Sequence, residues 1–230
     1  KDAIKRKVEY LQEHAECDFV LNYGEIVNEN DLEHPIGFLK RSRPNGKETF
    51  FKDLLDENNV VFVPGTILVK TESLKKAIPD LHIFESREGQ NWQMMLPLAY
   101  SCKVGYLDEI LFKYVLHVDS HSHIKRTREQ EYKRRENFYE LQRVTIDKIV
   151  GMSQTDREYW KNYAYVRMLW TQYKIAVNYH NLFESAIFSK KLRENNFTIP
   201  RDEKFFISHV RKIERRIIEL LKRKNERNEI

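Results

Sequence analysis

The N-terminal part of the chain combines a helical hydrophobic pattern with a short apolar segment. Apolar residues at helical spacing predict a helix over residues 2–16, with Asp2 as its cap. The residues of this apolar face are Ile4, Val8, Leu11 and Ala15. Residues 18–23 are mostly apolar and predict a short buried strand, whereas the polar residues 24–47 predict loops and turns.

The central part of the chain predicts short elements in close succession. Residues 50–58 and 73–77 predict two helices. Between them, the β-rich residues 60–69 are interrupted by Pro64-Gly65, which predicts two strand pieces around a turn.

A further helix and two strands are predicted before residue 117. The helix presents apolar residues at positions i, i+3, i+4 and i+7 and is expected to be disturbed by Pro97. These apolar residues are Trp92, Met95, Leu96 and Ala99. Residues 105–109 predict a short strand, and residues 110–116 predict a longer one whose two apolar faces are typical of a central strand.

The pattern changes after residue 125, where strand signals end and helical periodicity continues. Helices are predicted over 128–150 and 156–190, and a basic amphipathic helix is predicted over 206–220. We therefore predict two domains. Residues 1–125 form an α/β domain with a mixed sheet and flanking helices, and residues 126–230 form an all-helical C-terminal region.

Composition excludes several classes of protein. The 230 residues carry a net charge of +5 with charged residues of both signs, which is too mild a basic bias to indicate nucleic-acid binding. Cys17 and Cys102 are isolated from each other, so a zinc site is not expected and two free thiols in a reducing compartment are favoured. No apolar run reaches the ~18 residues of a transmembrane helix.

Three segments in the first 125 residues resemble a known family. They are the acidic turn and apolar helix at 87–97, the segment 105–109, and the strand with its His/Ser-rich loop at 114–123. Their residues and their order resemble the acceptor-side half of family-2 glycosyltransferases with the GT-A fold. The resemblance implies a partial GT-A-like mixed sheet over residues 1–125 and does not extend to residues 126–230.

The resemblance also implies what the chain should lack. The family places a nucleotide-binding half with an Asp-x-Asp motif ahead of the helix that residues 2–16 resemble, and no Asp-x-Asp occurs here. We therefore expect the chain to be a portion of a longer enzyme. Such an enzyme uses Mg²⁺ or Mn²⁺, whereas the chain alone is expected to bind neither cofactor tightly and to be inactive.

The resemblance places the catalytic base just before the apolar helix. Many family members carry a Glu-Asp pair there, but this chain has Gln90-Asn91. A carboxylate can accept a proton and an amide cannot, so Glu88 is the first candidate for the base and Glu85 the second. The alternative is that Glu88 only favours the dipole of the helix that follows.

Histidines at the end of the last strand are the candidate metal or diphosphate ligands. His121 or His117 matches the place of a C-terminal histidine that family members use for this contact. The alternative is a hydrophilic loop whose histidines are only solvated. Without an acidic ligand cluster elsewhere in the chain, independent metal binding is the less favoured interpretation.

The acceptor side is assigned to a turn and an aromatic residue. Pro64, Gly65 and Thr66 resemble the turn that lines the acceptor cleft, where glycine lets the backbone approach a ligand closely. Trp92 resembles an aromatic residue on which a sugar stacks. The turn fits an ordinary β-turn at least as well. The helical spacing of Trp92 with Met95 and Leu96 fits a core position, which is the favoured interpretation of Trp92.

We therefore expect a glycosyltransferase portion that helps transfer a sugar from a nucleotide diphosphate sugar to a glycan acceptor in bacterial surface polysaccharide synthesis. The alternative is a non-enzymatic helical interaction or docking module with a structural GT-A remnant. A cytoplasmic location, at the inner face of the membrane, and a homo-oligomer are compatible with both. The basic residues of 206–224 would contact an anionic membrane, or they would form a solvated face.

Overall fold

The computed structural model describes residues 2–43, 47–61, 63–84, 86, 89–117 and 126–200. Within these residues the fold is mixed α/β, as predicted, with seven α-helices and a four-stranded mixed sheet. The helices are α1 (Ala3–Glu13), α2 (Lys47–Leu55), α3 (Thr71–Ala77), α4 (Asn91–Ser101), α5 (Arg128–Lys148), α6 (Gln154–Asn178) and α7 (Leu182–Glu194). The strands are β1 (Phe19–Asn28), β2 (Gly37–Leu39), β3 (Ile67–Val69) and β4 (Val104–Leu116).

Strand β1 is the centre of the sheet. It pairs in parallel with β4 along its whole length, from Phe19 opposite Val104 to Asn28 opposite Leu116. Its other edge pairs antiparallel with β3 near its start and with β2 further on. Residues Phe19, Val20, Leu21 and Val27 are at most 1% exposed, which agrees with a strand covered on both faces.

The prediction of two strands between residues 105 and 116 was wrong, because β4 is continuous. The register of β4 against β1 shifts twice, between Asn22 and Tyr23 and between Tyr23 and Gly24. These shifts allow the 13 residues of β4 to pair with the 10 residues of β1. Asp108 and Glu109 lie at this irregularity, and their polarity suggested a break in the strand.

Residues 24–47, predicted as loops and turns because they are polar, contain the second half of β1 and the strand β2. Strand β1 continues to Asn28, and Gly24 to Ile26 pair with the short strand β2. Asn28 and Asp31 form an isolated bridge where the chain reverses. The sequence did not indicate these strands because β2 is an edge strand with Phe38 52% exposed, so it has no clear apolar face.

Of the two strand pieces predicted over 60–69, only the second forms among the described residues. Pro64–Thr66 form a short 3-10 turn, and β3 follows directly. Proline fixes its own φ near the helical value and is favoured at the start of such a turn. Residue 62 lies outside the described residues.

Helix α1 faces the sheet with a different side from the one predicted. Leu11 is buried as expected, but Ile4 is 70% exposed and Val8 is 39% exposed. Lys7, one turn before Leu11, is only 4% exposed. Asp2 precedes the helix but its side chain makes no capping hydrogen bond. The hydrophobic pattern could not indicate the burial of Lys7, because lysine counts as polar in the pattern but can bury its aliphatic stem like an apolar residue.

The main core lies on one face of the sheet. Phe19 and Leu21 pack with apolar residues of α2 and α4 and of the segment 141–164. On the other face, Val20 packs with Leu11 of α1, Cys17 and Leu107. Cys17 and Cys102 are both buried free thiols, as predicted. Helix α4 continues through Pro97 to Ser101.

Residues 156–190, predicted as one helix, form parts of two. Helix α6 ends at Asn178, and His180 adopts a positive φ of 55°. Asn181 then caps α7, since its side chain accepts a hydrogen bond from the Glu184 N–H at 3.0 Å. Asparagine is a preferred N-cap, which explains why a new helix starts here although the hydrophobic periodicity continues.

The chain divides into two compact units. The first comprises Lys1–Arg126 and Glu136–Ala164, and the second comprises Thr127–Arg135 and Tyr165–Ile230. The second unit has its own apolar cluster around Val166, Leu169 and Leu192. The assignment of domains to residues 1–125 and 126–230 stays a prediction. From 126 to 200 the structure contains helices and no strand.

The predicted basic helix over 206–220 lies outside the described residues. None of the described helices is both long and apolar enough to span a membrane.

Asp18 joins three elements at the start of the sheet, so its loss is expected to destabilise the fold. Its carboxylate accepts hydrogen bonds from Ser73 Oγ and the Lys103 N–H, both at 2.7 Å. Charge-assisted hydrogen bonds each contribute about 1.5–3 kcal/mol. We expect Asp18→Ala to lower the free energy of unfolding, measured by urea denaturation, by about 3 kcal/mol.

The matched control is Asp108→Ala, which removes a carboxylate that is 66% exposed and 3.6 Å from Arg41. Its effect should stay below about 1 kcal/mol because exposed ion pairs contribute little. Equal effects of the two substitutions would show that Asp18 does not have this joining role.

Candidate functional site

The turn Pro64–Thr66 is held by contacts from inside the turn and from two neighbouring elements. Thr66 is fully buried, and its hydroxyl donates to the Val63 carbonyl at 2.6 Å. The Thr66 N–H donates to the same carbonyl at 3.0 Å. Thr66 therefore stabilises the turn and has its hydroxyl engaged, while Pro64 and Gly65 are exposed.

Gly65 is required by the packing of a neighbouring ring. A Cβ atom at this position would lie 2.1 Å from Phe112 of β4, so any side chain would displace that ring. The sequence suggested that glycine allows a ligand to approach the backbone. In the structure the group that closely approaches the Gly65 backbone is the Phe112 ring. Contact of a ligand with Gly65 stays a prediction.

The side chain of Lys7 in α1 contacts the backbone of the same turn. Its Nζ donates to the Gly65 carbonyl over 3.4 Å, a long hydrogen bond. Desolvation by burial lowers the pKa of Lys7. A buried amine therefore lies directly behind the exposed turn, which sequence reasoning did not identify.

The turn and the start of α4 line one small cavity. Pro64, Asn91 and Met94 are among its lining residues, together with Leu21, Val61, Val63, Ile67 and Met95. Its volume is about 10 Å³, room for about one water molecule and not for a sugar. A sugar at this place would have to lie on the exposed surface of Pro64-Gly65 and contact Asn91 from outside.

Helix α4 starts from a turn that glycine makes possible. Gly89 has a φ of 68°, in the left-handed region, and its carbonyl accepts from the Trp92 N–H at 3.0 Å. Gln90 donates from its side chain to the Ser86 carbonyl. Asn91, half-buried, is the first residue of the helix and lines the small cavity.

Both candidates for the catalytic base, Glu88 and Glu85, lie outside the described residues. The resemblance assigns the position of the acid pair to Gln90 and Asn91, which are described. Their amides can donate and accept hydrogen bonds but cannot take a proton from a hydroxyl group at neutral pH. The base assignment therefore stays a prediction.

Trp92 lies in the core. It is 2% exposed, and its ring packs against Phe138 with centroids 4.9 Å apart and an interplanar angle of 69°. A Cβ on Gly89 would lie 2.6 Å from the Trp92 ring, so the ring is also covered from the side of the α4 start. This geometry favours the core interpretation of Trp92, because a sugar can stack only on an accessible ring face.

His117 lies at the end of β4, away from the turn. Its Nδ1 is 2.7 Å from Glu29 Oε2, and the Glu29 N–H donates to the Leu116 carbonyl at 3.1 Å. Phe112 contacts Gly65, and His117 follows five residues later, roughly 16 Å further along an extended strand. The structure therefore separates His117 from Pro64-Gly65 among the described residues. His121 lies outside those residues.

The described residues contain no group of three or more His, Cys, Asp or Glu side chains placed to hold a metal ion. His117 and Glu29 form a pair, as do His34 and Asp31 at 3.0 Å, and neither pair is joined by a third ligand. Contact of His121 or His117 with a metal or diphosphate stays a prediction.

Two further polar features near the sheet were not predicted from the sequence. Asn22 on β1 is fully buried, and its Oδ1 has no hydrogen-bond partner among the described residues. The Arg41 guanidinium lies 3.6 Å from the centroid of the Tyr106 ring, and its Nε donates to the Tyr23 hydroxyl at 3.1 Å. Burial raises the pKa of Tyr106. The lone asparagine within an apolar strand was the one signal that could have been noticed.

Comparison of the chain with protein-family models, curated proteins and solved structures gave no match. The resemblance to family-2 glycosyltransferases therefore rests on the residues and motifs of this chain alone.

Lys7→Met is expected to stabilise the protein at neutral pH. Methionine keeps most of the buried stem and removes a desolvated amine whose hydrogen bond to Gly65 is long. We expect the free energy of unfolding at pH 7, measured by urea denaturation, to rise by about 1 kcal/mol.

The pH dependence of this difference follows from the lowered pKa of Lys7. Between the folded and the unfolded pKa, the unfolded state holds a proton that the folded state has lost. The natural chain therefore gains stability relative to Lys7→Met as pH rises through that interval. A difference that is constant up to the unfolded pKa of lysine, ~10.4, would contradict the lowered pKa.

Proposed function

We propose that this chain is the acceptor-side portion of a glycosyltransferase of the family-2, GT-A type. The complete enzyme would transfer a sugar from a nucleotide diphosphate sugar to a glycan acceptor of bacterial surface polysaccharide. It would use Mg²⁺ or Mn²⁺, at the cytoplasmic face of the membrane.

The observation that supports the proposal most directly is the meeting of Pro64 and Asn91 at one small cavity. These residues are 27 positions apart in the sequence, and the resemblance assigns one to the acceptor turn and the other to the position of the acid pair. Their convergence is what an acceptor site of this type requires, because the acceptor hydroxyl must lie close to the base.

The chemical roles follow from the side chains. Glu88, three residues before Asn91, is the proposed base, with Glu85 as the second candidate. The amide of Asn91 would orient the acceptor by a hydrogen bond. His121 or His117 would contact the metal or the departing diphosphate. The nucleotide itself would be held by a part of the enzyme that carries Asp-x-Asp.

The chain alone is expected to recognise the acceptor and not the donor. Isothermal titration calorimetry with a panel of nucleotide sugars and Mn²⁺ should give no measurable heat of binding. Bacterial surface oligosaccharides should shift the backbone amide signals of Gly65, Thr66 and Asn91 in ¹H–¹⁵N spectra. Micromolar nucleotide-sugar binding, or oligosaccharide shifts confined to other residues, would contradict this division of the enzyme.

In the complete enzyme, Glu88→Gln is expected to lower turnover by at least about 100-fold, because it preserves size and hydrogen bonding but removes basicity. Nucleotide release would be measured with an acceptor present. The control is Glu72→Gln, which changes an exposed residue of α3. Near-normal turnover of Glu88→Gln would show that Glu88 is not the catalytic base, which would then be Glu85 or a residue outside this chain.

One observation favours the alternative of a helical interaction module. In the second unit, α7 and the turn before it carry exposed apolar side chains, with Phe183 77% exposed and Leu182 51% exposed. A second copy of the chain would cover this surface in a homo-oligomer. Self-association detected by light scattering and abolished by Phe183→Glu would favour the alternative, as would a parent protein without Asp-x-Asp.

A further inference from the structure

The first unit contains a cavity that shares no lining residue with the candidate acceptor site. Its volume is about 290 Å³, near the lower end of the range for small-molecule sites. Its apolar lining residues include Ile78, Pro97 and Val144, and its polar lining residues include Asp80, Gln93 and Lys148.

The inner wall of this cavity offers no free hydrogen-bonding side chain. Gln93 is buried, and both ends of its side-chain amide are hydrogen-bonded to the backbone of Phe84. Its Oε1 accepts from the Phe84 N–H at 2.5 Å, and its Nε2 donates to the Phe84 carbonyl at 2.6 Å. The buried Thr145 hydroxyl donates to the Leu141 carbonyl at 2.7 Å. The remaining inner residues are apolar, so the wall favours an apolar molecular body.

The rim carries the charges. Asp80 and His82 are exposed, and Asp80 Oδ1 accepts a hydrogen bond from the His82 N–H at 3.0 Å. Lys148, in the last turn of α5, is exposed and has no hydrogen-bond or ion-pair partner within the part of the chain that the structure describes. Lys148 is the one lysine or arginine among the described lining residues, so its amine can pair with an anionic ligand.

We propose that this cavity binds a small monocarboxylate with a compact apolar body, such as a single aromatic ring or a branched aliphatic chain. The body would contact Ile78, Pro97 and Val144, and the carboxylate would pair with the Lys148 amine. A cationic ligand with the same body could not pair with the Lys148 amine and would be repelled by it.

Three probes of nearly equal size separate the contributions of shape and charge. The full chain, labelled with ¹⁵N, would be titrated with 3-phenylpropionate, 3-phenylpropionamide and 3-phenylpropylamine. We expect the carboxylate to shift the amide signals of Ile78, Thr145 and Lys148 with a millimolar dissociation constant. The amide should bind about fivefold more weakly, and the amine more weakly still.

Two variants test the assigned contacts. Lys148→Gln should bring the affinities of the carboxylate and the amide within about twofold while leaving the amide unchanged, because only the ion pair is lost. Val144→Phe should fill the cavity and abolish binding of all three probes. The control is Lys190→Gln, which removes an amine of α7 that is 80% exposed and should change nothing.

The proposal is overturned if 3-phenylpropionate produces no saturable shifts at these three amides. It is also overturned if the amine binds as tightly as the carboxylate, or if Lys148→Gln preserves the carboxylate preference. Lys148 is exposed at a helix end, so its substitution tests the proposal even if Val144→Phe does not fold.

Discussion

Strand β1 uses both of its edges along most of its length, and the first unit is organised around this pairing. Strand β4 takes one edge, and β3 and β2 share the other. At the start of β1, Asp18 hydrogen-bonds through its backbone to Lys70 and Lys103 and through its carboxylate to Ser73 and the same Lys103. One residue thereby fixes the relative positions of β1, β4 and the connection from β3 to α3.

The position of the Pro64–Thr66 turn depends on this arrangement. Strand β3 follows the turn directly, so the pairing of Ile67 with Leu21 of β1 fixes where the turn emerges. Phe112 of β4 packs against Gly65, and Lys7 of α1 contacts the Gly65 carbonyl. The turn is therefore supported from three elements while Pro64 and Gly65 stay exposed, a combination that suits rigid presentation of a surface to a ligand.

The two cavities of the first unit differ in what they can accept. The cavity beside Pro64 and Asn91 holds about one water molecule, so recognition there would depend on the exposed surface of the turn. The cavity beside Ile78 and Lys148 is large enough for a small molecule, and its buried polar groups are already hydrogen-bonded. The first suits contact with an extended glycan, and the second suits enclosure of a compact body.

Local patterns were sufficient where a segment has one apolar face and clear ends. The free thiols of Cys17 and Cys102 were predicted from their isolation in the sequence. Helices α2 and α4 and the start of β1 were predicted from residue types and spacing, because burial of apolar side chains decides these elements. The mixed α/β class followed from the same patterns. The resemblance directed attention to Pro64-Gly65 and to the residues before α4, and Glu85, Glu88 and His121 lie outside the described residues.

Tertiary contacts decided what local patterns could not. Pairing with β1 made β4 one continuous strand despite Asp108-Glu109, since the irregular register absorbs the extra residues. Packing against the sheet turned Lys7 inward and left Ile4 exposed, because the helix is oriented by all of its contacts together. The convergence of Pro64 with Asn91 and the separation of His117 from Pro64-Gly65 depend on strand order and register, which connect residues far apart in the sequence.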